Sequence, residues 1–436
     1  MVRLTSISAE NAQIELNFDN DVNAEDKLNG MNMNDTIKND TLQKETSKNG
    51  RVRVPPYETI ALVLQGGGAL GAYQAGVFQG LDEAGIAPNW LAGISIGALN
   101  TAVIAGNPPE KRVERLNEFW QTICQPNVSL EMWPGMEQAF SGINDYMRGA
   151  MNAISATNTA LRGQKGFFEP RFPSPLWGHS SSPEDASLYS IHPLKSTLER
   201  LCDFDRINEN ASELRVSVGA VNLRTGNFTY FDNRKIKLRP EHFMASGALP
   251  PAFPAVEIDG EHYWDGGLVS NTPLAYVLES RPLEDTLAFQ VDLWSARGAA
   301  PTNLEEVADR IKEIQYSSRT RMVTDQLRRA QNFRRLLQRM LDDLPKDVRD
   351  HAAYCKVAQE LACSKRYNVI HLIYQDKAYE SHYKDFDFSP ASMQEHWHSG
   401  LEDIRSTLST RHYLAMPDNE SGFVTHDVHN REKEKN

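Results

Sequence analysis

At 436 residues, 40% of them hydrophobic and 24% charged, the chain can build one large core plus an accessory region and has the composition of an ordinary globular protein. Its formal charge of −12 at pH 7 argues against nucleic acid as a partner, because a phosphate backbone demands a basic surface. The same charge leaves membranes open, since a local basic patch can act against the global sign.

The first residues lack a basic start followed by an apolar run, so no secretory signal is expected. Residues 11–50 are rich in Asn, Asp, Lys and Thr and poor in aromatics. Such a segment buries too little apolar surface to offset its ordering entropy, and a disordered tail is expected there. Four scattered cysteines (Cys124, Cys202, Cys355, Cys363) without CxxC spacing suggest neither a disulfide framework nor a zinc site. The expected location is the cytoplasm.

Order is expected to begin near Tyr57. Thr59–Leu64 is a short β-branched and aliphatic run ending in glycines, which reads as a buried strand. Residues 69–84 follow as a helix, with apolar positions at Leu70, Tyr73, Val77 and Leu81. A second strand at 90–94 leads into a second helix at 96–105. The uncharged stretch 90–106 falls short of the ~20 residues of a spanning helix and is broken by Gly93, Ser95 and Gly97. Strand, helix, strand, helix at this spacing implies a parallel sheet covered by helices.

Further along, 214–222 and 227–232 form a strand pair around Arg224-Thr225-Gly226. Residues 255–258 and 262–264 flank Asp259-Gly260, the strongest two-residue hairpin signal in the chain. Residues 286–293 and 367–374 read as buried strands. Between Pro301 and Pro345 there is neither Gly nor Pro, and an apolar stripe through Leu304, Val307, Ile311 and Ile314 predicts a long helix or helical pair. Its second half carries Arg328, Arg329, Arg334, Arg335 and Arg339. These could dock on anionic headgroups, although a solvated helix face is the simpler reading. The last stretch, 417–436, is polar and expected to fray.

Three motifs carry chemistry. Gly93-Ile94-Ser95-Ile96-Gly97 is a GxSxG between a strand and a helix. A serine on that turn is held exposed near the positive end of the helix, and the flanking glycines make room for the close backbone approach. Gly66-Gly67-Gly68-Ala69-Leu70-Gly71 follows the first strand, where amides can point at a developing negative charge. The same hexapeptide fits GxGxxG, a dinucleotide fingerprint that needs an acidic residue at the end of the second strand. That strand ends in Ile94-Ser95, and Asp82 and Glu83 lie on the intervening helix, so the dinucleotide reading fails. The third motif is Asp265-Gly266-Gly267, a carboxylate followed by two glycines. Taken alone it is more often a turn than a catalytic element.

A glycine loop, then GxSxG, then a distant DGG, with Ala245-Ser246-Gly247-Ala248-Leu249-Pro250 between them, resembles the patatin-like phospholipase family over about 59–291. The portion 301–414 resembles the C-terminal extension of a bacterial branch. The resemblance implies a three-layer α/β/α sandwich with a mainly parallel central sheet and a C-terminal helical extension. It divides the chain into a tail at 1–56, a catalytic domain at 57–295 with an insertion at about 125–190, an extension at 296–416 packed on that domain, and a flexible tail at 417–436. It also implies a Ser–Asp dyad. Ser95 is then the nucleophile, Asp265 the base and orienting group, and Gly66, Gly67 and Gly68 the oxyanion donors, with Gly71, Gly93, Gly97, Gly266 and Gly267 as supporting motif positions.

Most serine hydrolases use an imidazole. His242 and His262 lie nearest the aspartate in sequence, and strand alternation puts His262 on the opposite face from Asp265. An unperturbed aspartate, with a pKa of ~3.9, is a poor base near neutrality, so the dyad requires burial and a Ser–Asp hydrogen bond. No cofactor or metal is expected, since no EF-hand or zinc pattern is present. The substrate implied by the family is a phospholipid or lysophospholipid, with peripheral membrane contact open to it.

An aromatic and Met-rich stretch, including Met132, Trp133, Phe140, Phe167, Phe168 and Trp177, is a candidate acyl pocket or lid, with ordinary packing as its alternative. Two other functions compete: an esterase or thioesterase acting on a different acyl ester or storage polyester, and a catalytically silent membrane- or partner-binding protein.

Overall fold

The computed structural model describes residues 52–124, 145–172, 182–377, 379–380, 383–420 and 422–429. The expected N-terminal tail lies outside these residues, as do 125–144 and 173–181 of the insertion. All four cysteines are free and buried.

Eleven strands are described: β1 (Thr59–Leu64), β2 (Trp90–Gly93), β3 (Glu169–Pro170), β4 (Tyr189–Ser190), β5 (Arg215–Asn222) and β6 (Phe228–Asp232), then β7 (Val256–Ile258), β8 (Glu261–Asp265), β9 (Thr286–Asp292), β10 (Tyr367–Ile373) and β11 (Phe423–Asp427). β3 and β4 pair with each other, and the other nine form one sheet in the order β11-β10-β9-β1-β2-β5-β8-β7, with β6 on β5. The run from β11 to β5 is parallel, and β6, β7 and β8 are joined antiparallel. Helices flank the sheet, giving the expected α/β/α arrangement.

β1 is apolar from Ile60 onward because both its faces are covered. Leu62 and Leu64 enter the larger hydrophobic cluster, while Ala61 and Val63 enter a smaller one on the other face with Leu274, Val277 and Leu278. The Asp259-Gly260 turn has positive φ at both residues, 53° and 83°, the geometry that closes a two-residue hairpin between β7 and β8.

Five helices position the rest: α1 (Ala72–Glu83), α2 (Ile96–Ala105), α3 (Pro240–Ser246), α4 (Leu304–Asp342) and α5 (Pro390–Ser409). α4 is one continuous helix of 39 residues, roughly 60 Å long, capped by the Asn303 side chain accepting from the Glu306 N–H. α5 starts at Ser389, whose side chain accepts from Ser392 N–H, with Pro390 in the first turn. It packs on α1 backbone to backbone. A Cβ on Gly76 would sit 1.9 Å from the Trp397 carbonyl oxygen, and one on Gly400 would sit 2.0 Å from that of Tyr73.

Two expectations change. The polar C-terminal stretch contributes β11, which pairs in parallel with β10 through Phe423↔Tyr367 to Asp427↔His371. Phe423 and Val428 are buried, and those anchors outweigh the polar composition around them. Two arginines of α4, Arg335 and Arg339, are engaged within the protein. Arg335 donates to the Ser364 carbonyl at 2.6 Å, Arg339 to that of Asn419 at 2.9 Å, and Arg328 pairs with Asp325 at 2.8 Å. Arg328, in an exposed pair, and Arg329 remain on the surface, in line with a solvated helix face.

Candidate active site

Ser95 lies two residues past β2 and caps α2 with φ 54° and ψ −124°, a conformation that costs a non-glycine residue energy and persists only where its surroundings enforce it. The enforcement is visible on both sides. A Cβ on Gly93 would fall 2.3 Å from the Gly97 carbonyl oxygen, and one on Gly97 would fall 2.4 Å from that of Leu64. The fully buried Ser246, at the end of α3, accepts the Ser95 N–H at 3.1 Å and donates to the Gly219 carbonyl at 2.7 Å.

The sheet brings Asp265 to this turn. Ser217 and Val218 of β5 pair with β2 and β6, while Ala220 and Val221 pair with β6 and β8. β2 and β8 therefore share one edge of β5, and β8 takes over where β2 turns out into Ser95. Asp265 is opposite Ala220, two positions beyond the Gly93↔Val218 pair. Gly266 permits this approach, since a Cβ there would lie 2.6 Å from the Gly219 carbonyl oxygen. The Asp265 carboxylate accepts the Gly267 N–H at 2.7 Å and a hydrogen bond from the Ser95 hydroxyl. Burial pushes its pKa up to about 7, against the lowering effect of those two donors.

The glycine loop follows β1 and enters α1 through a 3₁₀ turn, Gly68–Gly71. Gly68 has φ 56°, and a Cβ there would also lie 2.2 Å from the Asp385 carbonyl oxygen. Gly71 packs against Ile96 just past the elbow. Asn271 Nδ2 and Trp294 Nε1 each donate to the Gly66 carbonyl at 3.0 Å. The Gly66 N–H is itself committed to the Asn271 carbonyl at 3.3 Å, so the expected trio of donors is reduced to two. The N–H groups of Gly67 and Gly68 make no hydrogen bond with a described residue and remain open to a ligand.

These groups line one cavity, together with Phe167, Phe168, Phe253, Phe388, Leu99 and Leu249. Its apolar wall is a cluster of edge-on and tilted rings, with Phe167 and Phe388 centroids 5.6 Å apart and Phe168 and Phe253 5.2 Å apart. Of the aromatic stretch expected to meet lipid, Phe167 and Phe168 line the cavity, Phe172 is exposed, and Met132, Trp133, Phe140 and Trp177 lie outside the described residues.

Neither histidine reaches the cavity. His262 Nε2 hydrogen-bonds Glu184, and His242 Nδ1 accepts the Arg239 N–H at 2.9 Å in a helix cap. Trp294, Tyr316, Asp385 and Phe388 also line the site and had no motif to announce them. Asn271 and Ser246 stand in or beside recognised motifs, and the pattern of short polar residues next to glycine-rich turns was the only signal available for them.

A mostly parallel sheet between helices, with a strained serine beside a buried carboxyl and two open amides in an apolar cavity, defines an α/β/α protein with a site suited to lipid esters. The sequence matches the family described as patatin-like phospholipase over residues 62–278, and a patatin phospholipase family over 314–420. The chain belongs to the patatin-like phospholipase family, and its general class is lipid acyl hydrolase. No curated protein matches it. Among solved structures, the crystal structure of VipD from Legionella pneumophila is similar at 14% identity and TM-score 0.37, covering 89% of this chain and 78% of that one. Among the described residues, no helix is long and apolar enough to cross a membrane.

Proposed function

We propose that the protein is a phospholipase A or lysophospholipase that cleaves carboxylic esters of acyl lipids through a dyad of Ser95 and Asp265. The observation that carries this reading is a fully buried carboxyl, its pKa raised to about 7, accepting the hydroxyl of a strained serine. A base with that pKa is poised to take a proton near neutrality, which an ordinary aspartate is not.

Asp265 takes the Ser95 proton as the oxygen attacks the ester carbonyl. The negative charge that develops on the carbonyl oxygen is met by the Gly67 and Gly68 N–H groups, supported by the N-terminal end of α1. Collapse expels the alcohol, which carries away the proton from Asp265 and leaves an acyl-serine. Water then attacks with Asp265 as base, the proton returns to Ser95, and a fatty acid departs. The Phe167–Phe168–Phe253–Phe388 wall suits the acyl chain, and the bonds from Ser246, Asn271 and Trp294 keep the elbow and glycine loop in register without moving during the reaction.

The test is labelling with a fluorophosphonate probe alongside fatty-acid release from phospholipid and lysophospholipid. Wild type should be labelled and active, and Ser95→Ala should lose both. Equal labelling of the variant, or a folded wild type that is neither labelled nor active, would overturn the reading.

A further inference from the structure

Three donor groups converge away from the catalytic cavity. Glu257 and His262 face each other across the β7–β8 hairpin, and directly opposed residues of an antiparallel pair project on the same face. Glu184 joins them from the segment before β4 and hydrogen-bonds His262 Nε2. One ligand atom from each of the three lies within 4.8 Å of the other two. The Glu184 segment is fixed independently of this cluster. Arg171 bonds Ser187 at 3.0 Å and Asp185 at 3.2 Å, and the Leu188 N–H bonds the Pro251 carbonyl at 3.1 Å.

Charge separates this cluster from an ordinary ion pair. Among the described residues, Glu184 and Glu257 form no ion pair with a Lys or Arg: Glu184 pairs with the His262 imidazole, and the Glu257 carboxylate stands nearby with no ion-pair partner. The other cluster of similar spacing among the described residues, the carboxylates of Asp309, Glu313 and Asp376, is built differently. There the buried Lys384 ammonium reaches the three at 3.1, 3.2 and 2.9 Å, so that centre already holds its cation. Among the described residues, the Glu184–Glu257–His262 centre has no such built-in ammonium.

We propose that Glu184, Glu257 and His262 bind a Zn²⁺-class divalent cation that clips the segment around residue 184 to the hairpin leading into Asp265. One imidazole nitrogen and two carboxylate oxygens form a three-ligand set that zinc accepts, with water completing the shell. The imidazole weighs against Ca²⁺ and Mg²⁺, which prefer all-oxygen surroundings. All three side chains are partly or fully exposed, which leaves an entry path and room for that water. The clip also bears on the apolar wall, because Tyr189, five residues after Glu184, packs on Phe168 with ring centroids 4.8 Å apart.

The experiment is calorimetric titration of untagged, EDTA-treated full-length protein with Zn²⁺, Ca²⁺ and Mg²⁺, paired with thermal melts. One equivalent of Zn²⁺ should bind more tightly than either hard cation and raise the melting temperature. His262→Gln and Glu257→Gln should each weaken Zn²⁺ binding by at least about tenfold. Glu257 is exposed, so its variant folds even where His262→Gln does not. No Zn²⁺ binding, no preference over Ca²⁺ and Mg²⁺, or unchanged affinity in Glu257→Gln would overturn the assignment. The readouts are binding and melting rather than turnover, so the result is independent of the dyad.

Discussion

Burial holds the Asp265 carboxyl near pH 7, whereas a free aspartate ionises at ~3.9, so the folded state keeps a proton that the unfolded chain releases. The contribution of this group to stability is complete below ~3.9 and is lost as pH rises through about 7. Asp265→Asn removes the ionisation. It should melt above wild type at pH 8, with the difference closing toward pH 4, while turnover falls by at least ~10²-fold. Wild-type kcat/KM should rise with pH through an inflection near 7. Paired melts and pH–rate profiles check both, and a variant no more stable at pH 8 would mean that the carboxyl is not held near neutrality. A stabilised but inactive variant is the outcome expected where function requires an ionised group in a dry place.

At the level of elements, the α1–α5 contact is set by glycines that no catalytic motif contains. Gly76 and Gly400 let the two backbones touch, and Tyr73 donates to Asp403 across the same interface at 2.7 Å. Gly400→Ala forces overpacking and should cost about 1–3 kcal/mol, read as a lower denaturant midpoint. A midpoint equal to wild type would show that the helices separate freely. This packing also explains a limit of the periodicity reading. The 3–4 spacing of Leu70, Tyr73, Val77 and Leu81 locates the helix, yet Ala72, Gln74, Ala75 and Gly76 are buried as well: Gly76 meets α5, while Gln74 donates to the Gln65 carbonyl and accepts from Asn100 of α2, so the helix is covered well beyond its stripe.

For the whole molecule, residues after 300 complete both the sheet and the site. β10 and β11 cover the edge of β9, α5 covers α1, and Tyr316, Asp385 and Phe388 line the cavity. Residues Arg51–Asn436 accordingly fall into one compact unit. A chain ending at residue 300 would expose a long apolar strand edge and the bare face of α1. It should be insoluble or lack a cooperative melt. A soluble fragment with a sharp transition by circular dichroism would contradict this.

The sequence by itself determined the parts whose signals are local. β1, β2 and the hairpin at Asp259-Gly260 were legible because strand periodicity and turn chemistry act over a few residues. Ser95, the glycine loop and Asp265 stood out because tight backbone approach demands glycine beside them. Tertiary structure decided what depends on residues far apart in the chain. Only the shared edge of β5 brings Asp265 to Ser95, and only burial among distant elements lifts its pKa to about 7. The Asn271 carbonyl occupies the Gly66 N–H, which leaves two open amides where the motif offered three. Phe423 and Val428 turn a polar stretch into an edge strand, because a sheet with an open apolar edge recruits whatever residues can cover it. Local geometry is written in short patterns, whereas desolvation and pairing are sums over the whole fold, and no short pattern contains them.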